Sequence, residues 1–168
     1  MINVRMAELE DAEKIAEIGV RTWKHSYCTL LPDQLLRGRS VDQSRITKEK
    51  YKILADEVWV VSDDGEIIGY LWGGRSRDGE VSPADYEVRA IYVLPEAQGK
   101  GAGKLLLKAF AEHIGQASFY LYALKGNPSV GFYYKCGAKR VLEYDRILNV
   151  DGVKVFEETY LFDDFSLE

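Results

Sequence analysis

The chain has 168 residues, 46% of them hydrophobic, which suits one soluble domain with a sizeable core. A formal net charge of −5 argues against nucleic acid as the main partner and slightly favours a cationic ligand, although net charge is a weak guide to a local site. Two cysteines, Cys28 and Cys136, show neither metal-ligand spacing nor a disulfide framework, so a reducing cytoplasm and no metal are expected. The Met1–Met6 segment carries no apolar leader, and no apolar run approaches 18 residues, so no membrane partner is expected.

Residues 2–6 alternate as a short strand. A helix is predicted over roughly 8–26, with Glu8, Glu10 and Asp11 suited to its first turn and Ile15, Ile18 and Thr22 as its inward stripe. Pro32-Asp33 opens a second helical region that breaks near residues 38–40 and runs to about Leu54. Val58–Val61 and Ile67–Gly73 read as strands joined by the hairpin turn Asp63-Asp64-Gly65-Glu66. A polar loop covers 74–83, a central strand 85–94 and a helix 102–114. Phe119–Leu124 is a further strand, followed by a helix from Asn127. Val141–Asn149 and Val153–Phe162 are strands flanking a second hairpin signal, Val150-Asp151-Gly152. This order predicts an α/β fold: a single mixed, mostly antiparallel sheet of about seven strands, flanked by about four helices, in one domain over 1–168.

The most informative stretch runs from Ile91 to Leu105: strand, glycine-rich turn, helix start. Such a turn aims backbone N–H groups at one volume, where the helix dipole adds roughly half a positive charge and a phosphate fits. The dinucleotide fingerprint G-x-G-x-x-G fails here, since Lys104 or Leu106 falls where its third glycine belongs. The P-loop pattern fails as well, with Gln98 at its first position and Leu105 at its last. What remains is Q-x-x-G-x-G at Gln98, Gly101 and Gly103, after a Tyr-Val-Leu-Pro-Glu strand end. This resembles the pyrophosphate loop of the GNAT superfamily, the Gcn5-related N-acetyltransferases. A second block downstream, Asn127-Pro128-Ser129-Val130-Gly131-Phe132-Tyr133-Tyr134-Lys135-Cys136-Gly137-Ala138, is similar to the family's N-P-x-x-x-F-Y-E-K-x-G helix. It departs from that pattern at Tyr134, where Glu is usual, and at Ala138.

The resemblance implies acetyl-CoA as co-substrate and a sheet that splays beyond its central strand to admit the pantetheine arm. Backbone groups of Gln98, Gly99, Lys100, Gly101, Ala102, Gly103 and Lys104 would then bind the pyrophosphate, with glycine at 101 and 103 removing Cβ atoms that would obstruct it. Ile91, Tyr92 and Val93 would pair with pantetheine as an added strand, the Val93 N–H polarising the thioester carbonyl. Tyr133 takes the family's general-acid position and also borders the cofactor. A phenol of pKa about 10 can protonate a thiolate whose conjugate acid is near roughly 8.5. Asn127 would position the cofactor, cap its helix, or do both.

Acyl transfer to nitrogen also needs an amine stripped of its proton. Alternation puts Glu87, Arg89, Ile91 and Val93 on one strand face, which makes Glu87 the candidate base and an ion pair with Arg89 or another basic residue its alternative. His25 is a rival base. Trp23 and Tyr27, four residues apart on one helical face, are candidate acceptor-binding residues: an apolar wall, or a cation–π surface for an amine. Trp72 is a further candidate. The expected acceptor is a small-molecule amine such as a polyamine, an amino acid or a drug-like amine. A protein N-terminus or lysine is the alternative acceptor, and a non-catalytic acyl-CoA sensor is the alternative from another class. Dimers are common among relatives, which leaves a homodimer open; the sequence does not fix the oligomeric state.

Overall fold

The structure, a computed structural model, describes residues 1–168 except 78, 80, 82, 83, 164 and 166–168. Part of the predicted 74–83 loop thus lies outside the described residues. In chain order the elements are β1 (Ile2–Met6), α1 (Ala12–Tyr27), α2 (Asp33–Arg37), α3 (Gln43–Leu54), β2 (Val58–Asp63), β3 (Glu66–Arg75) and β4 (Tyr86–Val93). They continue with α4 (Ala102–His113), β5 (Phe119–Leu124), α5 (Val130–Lys135), β6 (Lys139–Arg140), β7 (Arg146–Val150) and β8 (Val153–Phe162). The strands form one mostly antiparallel sheet in the order β1-β2-β3-β4-β5-β8-β6, with β7 paired to β8. The described chain divides into two compact units, one of Met1–Gly73 with Ala90–Phe110, the other of Gly74–Arg89 with Ala111–Glu168.

In the first unit, a single 3-10 turn at Leu9–Asp11 leads into α1. The Asp11 carboxylate accepts from the Glu8 N–H at 2.8 Å and from both terminal nitrogens of Arg5, fixing where the helix begins. The inward stripe of α1 is buried at Ile15, Ile18 and Thr22, as its periodicity requires. Asp42 caps α3 by accepting from the Arg45 N–H at 2.9 Å. Between β2 and β3, Asp64 (φ 49°) and Gly65 (φ 89°) both adopt left-handed angles, which a two-residue hairpin demands of its central residues.

The β2–β3 register slips between Val61 and Ser62, leaving Ile68 as an extra residue on β3. The bulged strand lies tightly against β4. Leu94 N–H donates to the Ile68 carbonyl at 2.9 Å, and a Cβ on Gly69 would come within 2.6 Å of the Tyr92 carbonyl oxygen. Trp59 meets the end of α4 edge to face, 5.6 Å from Phe110.

In the second unit, β4 pairs in parallel with β5 at Tyr86↔Phe119 and Glu87↔Tyr120. β5 then runs antiparallel to β8 from Phe119↔Phe162 to Leu124↔Glu157. The strand predicted over Val141–Asn149 is divided, with β6 ending at Arg140, a 3-10 turn at Leu142–Tyr144, and β7 beginning at Arg146. Asp145 is the physical cause. Its side chain accepts from the Thr159 N–H at 3.0 Å and pairs with the Arg140 guanidinium, so a carboxylate replaces a backbone carbonyl in the ladder. The helix predicted from Asn127 starts three residues later, at Val130.

Two measurements test this framework. Gly69→Ala should lower stability by about 1–3 kcal/mol, because the neighbour it would strike is backbone; an unshifted urea midpoint would contradict the close approach. The hydrogen bond from Arg140, helped by the Thr159 N–H, holds the Asp145 carboxyl below its ordinary value of 3.8. Asp145 therefore adds stability that is present at neutral pH and is lost as pH falls below that value, where the unfolded chain takes up the proton first. Asp145→Asn should flatten this part of the acid limb in pH-dependent denaturation.

Candidate functional site

The glycine-rich turn and its surroundings lie in the first unit. Ile91, Tyr92 and Val93 are half-buried at the end of β4. Beyond them Pro95–Ala97 makes a single 3-10 turn, tied to α1 by a two-pronged Arg21–Glu96 pair at 2.7 and 2.9 Å. The Gln98 side-chain amide then donates to the Val93 carbonyl at 3.0 Å, closing the loop back onto the strand. This gives the glutamine of the motif a structural role that its sequence position alone does not reveal.

Gly99 (φ 83°) and Gly101 (φ 85°) take left-handed angles. A Cβ on either would meet nothing within 4 Å, so the backbone conformation, not crowding within the fold, requires glycine there. The first bond of α4 runs from the Leu105 N–H to the Gly101 carbonyl at 3.1 Å. The Ala102, Gly103 and Lys104 N–H groups precede that ladder, at the positive end of a twelve-residue helix. An open surface above two left-handed glycines, backed by these N–H groups, fits a pyrophosphate. The required left-handed glycines are 99 and 101, while Gly103 already lies within the helix. The Lys100 ammonium lies 3.5 Å from an Asp63 carboxylate oxygen, and Lys104 is exposed.

The first unit also holds the predicted acceptor residues. Trp23 and Tyr27 meet edge to face at 5.7 Å. The Trp23 ring carries the Arg39 guanidinium, 4.0 Å from its centroid. Lys52 stands likewise 3.9 Å over Trp72. Tyr70 packs at 5.7 Å against Tyr92 and comes so close to α1 that a Cβ on Gly19 would lie 2.5 Å from its hydroxyl. Burial pushes the Tyr70 phenol well above its ordinary value, with nearby Tyr92 and Glu49 adding to the shift. His25 is exposed in the last turn of α1. Four charged residues beside these aromatics escaped the sequence reading: Arg39, Arg45, Glu49 and Lys52. The available signal was the spacing of the last three along one face of α3, interleaved with Ile46 and Ile53.

In the second unit, Glu87 is 2% exposed. Its Oε1 accepts from the Arg77 N–H at 2.9 Å and the Arg77 Nε–H at 2.8 Å, and lies 3.5 Å from Arg89 Nε. Arg89, itself 8% exposed, donates to the Arg75 carbonyl at 2.6 Å. Glu87 thus pairs with Arg89, and Arg77 adds a second cation. Asn127 accepts from the Ser129 N–H at 2.7 Å, which bends the chain into α5. On α5 Tyr133 is 6% exposed and Tyr134 is 50% exposed, yet both rings reach Tyr160, at 5.8 and 5.6 Å. The two rings thus share a neighbour and differ in exposure. Burial, followed by the charge of Glu158, pushes the Tyr160 phenol up to about 12.

A family model for the acetyltransferase (GNAT) family matches residues 21–138. An uncharacterised N-acetyltransferase of Bacillus subtilis, YuaI, is 32% identical over 171 residues, covering 99% of this chain and 95% of that protein. The N-alpha-acetyltransferase RimI of Mycobacterium tuberculosis is 32% identical over 93 residues, 55% of this chain and 58% of its own. Among solved structures, the PaiA N-acetyltransferase of Thermoplasma acidophilum in complex with coenzyme A superposes with a TM-score of 0.68 at 22% identity, covering 94% of this chain and 98% of that one. YncA of Salmonella typhimurium, a putative acetyltransferase with its cofactor acetyl-CoA, gives 0.69 at 22% identity, covering 100% and 96%.

Glu87→Gln tests the ion pairs of this buried carboxylate directly. Removing the charge that Arg77 and Arg89 face should cost about 3 kcal/mol in denaturant unfolding. A fully stable variant would show that the pairs contribute nothing to the fold.

Proposed function

Since the chain belongs to the acetyltransferase (GNAT) family and is an acetyl-CoA-dependent acyltransferase, we propose that it acetylates a primary amine of a small molecule by direct attack in a ternary complex. The observation that carries this reading is the group of half-buried aromatics and cations beside the end of β4. Side chains held that far from water suit an enclosed small acceptor better than an open protein groove.

Acetyl-CoA supplies a thioester carbonyl for attack and a thiolate to leave. The backbone N–H groups from Gln98 to Lys104 hold the pyrophosphate, with Gly99 and Gly101 supplying the angles that aim them. Ile91 and Tyr92 border pantetheine, and the Val93 N–H polarises the carbonyl. The Val93 carbonyl, in the next peptide along, is already engaged by Gln98, which ties the loop to this strand end. Tyr133 donates the proton to the departing sulfur, and Asn127 shapes the turn that presents it. Glu87, engaged by Arg77 and Arg89, is the terminal acceptor of the amine's proton by way of water. Trp23 and Tyr27 bound the acceptor. Acetylation of a protein N-terminus is the second reading, supported by the partial likeness to an N-alpha-acetyltransferase.

Release of free thiol from acetyl-CoA against a panel of amines tests the proposal. One amine class should support release, and Tyr133→Phe should lower kcat at least about tenfold. Binding of acetyl-CoA with no release for any amine or N-terminal peptide would overturn the reading in favour of a sensor.

A further inference from the structure

Arg39 lies between α2 and α3, half-buried, with its guanidinium over the Trp23 ring. Among the described residues it forms no hydrogen bond and no ion pair with a carboxylate. Its electrostatic neighbours are the phenols of Tyr92, Tyr70 and Tyr27 and a second cation, Arg45. Burial opposes its charge, yet a guanidinium stays protonated in any protein. Five N–H donors held partly out of water with no acceptor represent a cost that a planar two-oxygen anion relieves best.

The nearby charges do not offer that relief. Glu49 is 3% exposed, and its Oε1 accepts from Lys52 Nζ at 3.1 Å, so the buried carboxylate of α3 is committed to the lysine one turn on. Its Oε2 meets no donor among the described residues. Arg45 spends its Nε–H on the Ser40 carbonyl at 3.1 Å. Arg39, Arg45 and Glu49 are neighbours of Tyr70, and Lys52 is a neighbour of all three, so these charged groups carry a local excess of positive charge in a chain whose net charge is −5. The ring face of Trp23, a candidate surface for a substrate's ammonium, already carries the protein's own cation.

We propose that Arg39 anchors a carboxylate of the acceptor, so that the acetylated amine belongs to an amino-acid-type molecule and not to a polyamine. The inference rests on the acetyl-transfer reading above and narrows its acceptor. Tyr92, which lies within electrostatic reach of Arg39, immediately precedes Val93, so the anchor stands beside the strand end to which the thioester is assigned.

The test uses matched pairs, phenylalanine with phenethylamine and leucine with isoamylamine, plus spermidine. Initial rates are measured for the native protein, Arg39→Gln and Arg39→Lys. Binding of each compound in the presence of coenzyme A is followed by calorimetry. At least one amino acid should be preferred over its decarboxylated partner. Arg39→Gln should raise KM for that amino acid at least about tenfold more than for the partner amine, with little change in kcat. Arg39→Lys should recover part of the loss. Equal effects on both members of each pair, or spermidine as the best acceptor with no dependence on Arg39, would overturn the proposal. If no compound supports turnover, the small-molecule reading fails by itself, and acetyl transfer is judged on N-terminal peptides. Calorimetry then decides the anchor: amino-acid binding lost in Arg39→Gln supports it, and binding that is absent or insensitive to the change refutes it.

Discussion

The close approach of β3 to β4 at Gly69 constrains everything around the end of β4. A side chain there would strike the Tyr92 carbonyl, so glycine allows the bulged β3 to hold that peptide directly. With the bond from Leu94 to Ile68, this fixes the strand end as backbone packed on backbone. Backbone contacts of that kind leave little freedom to rotate a peptide plane. Gln98 then takes its bearing from the Val93 carbonyl, and the two left-handed glycines take theirs from Gln98. The direction in which the loop's N–H groups point is therefore set by a contact one strand away.

The other half of the same strand is held by different physics. At Glu87 the restraint is charge: a buried carboxylate between two arginines, one of which also ties down the Arg75 carbonyl. Steric closeness at one end and paired charge at the other both oppose relaxation, but they fail differently. Packing yields in proportion to added volume. A buried pair fails abruptly when one member is removed.

Legibility in the sequence followed the locality of the cause. The two hairpins were readable because Asp64-Gly65 and Asp151-Gly152 encode left-handed angles in adjacent residues. The stripe of α1 was readable because Ile15, Ile18 and Thr22 repeat at helical spacing. The break at Asp145 was not, since it depends on Thr159 and Arg140, one of them fourteen residues away in the chain. The family motifs pointed to the phosphate loop but gave Gln98 no structural part. Arg39 lay beyond any local rule, because it sits in no regular element and its place over Trp23 is a tertiary fact.

Lys100 and Asp63 carry a consequence for how donor affinity responds to ionic strength. The lysine is already paired, at 3.5 Å, before any phosphate arrives. If the loop takes the pyrophosphate as proposed, binding at Lys100 exchanges one anionic neighbour for another and does not bring a bare cation up to an anion. Added electrolyte weakens both neighbours in the same direction, and much of the effect cancels. This residue's share of the affinity should therefore be largely indifferent to salt, and screening would act mainly on the fixed dipole of α4.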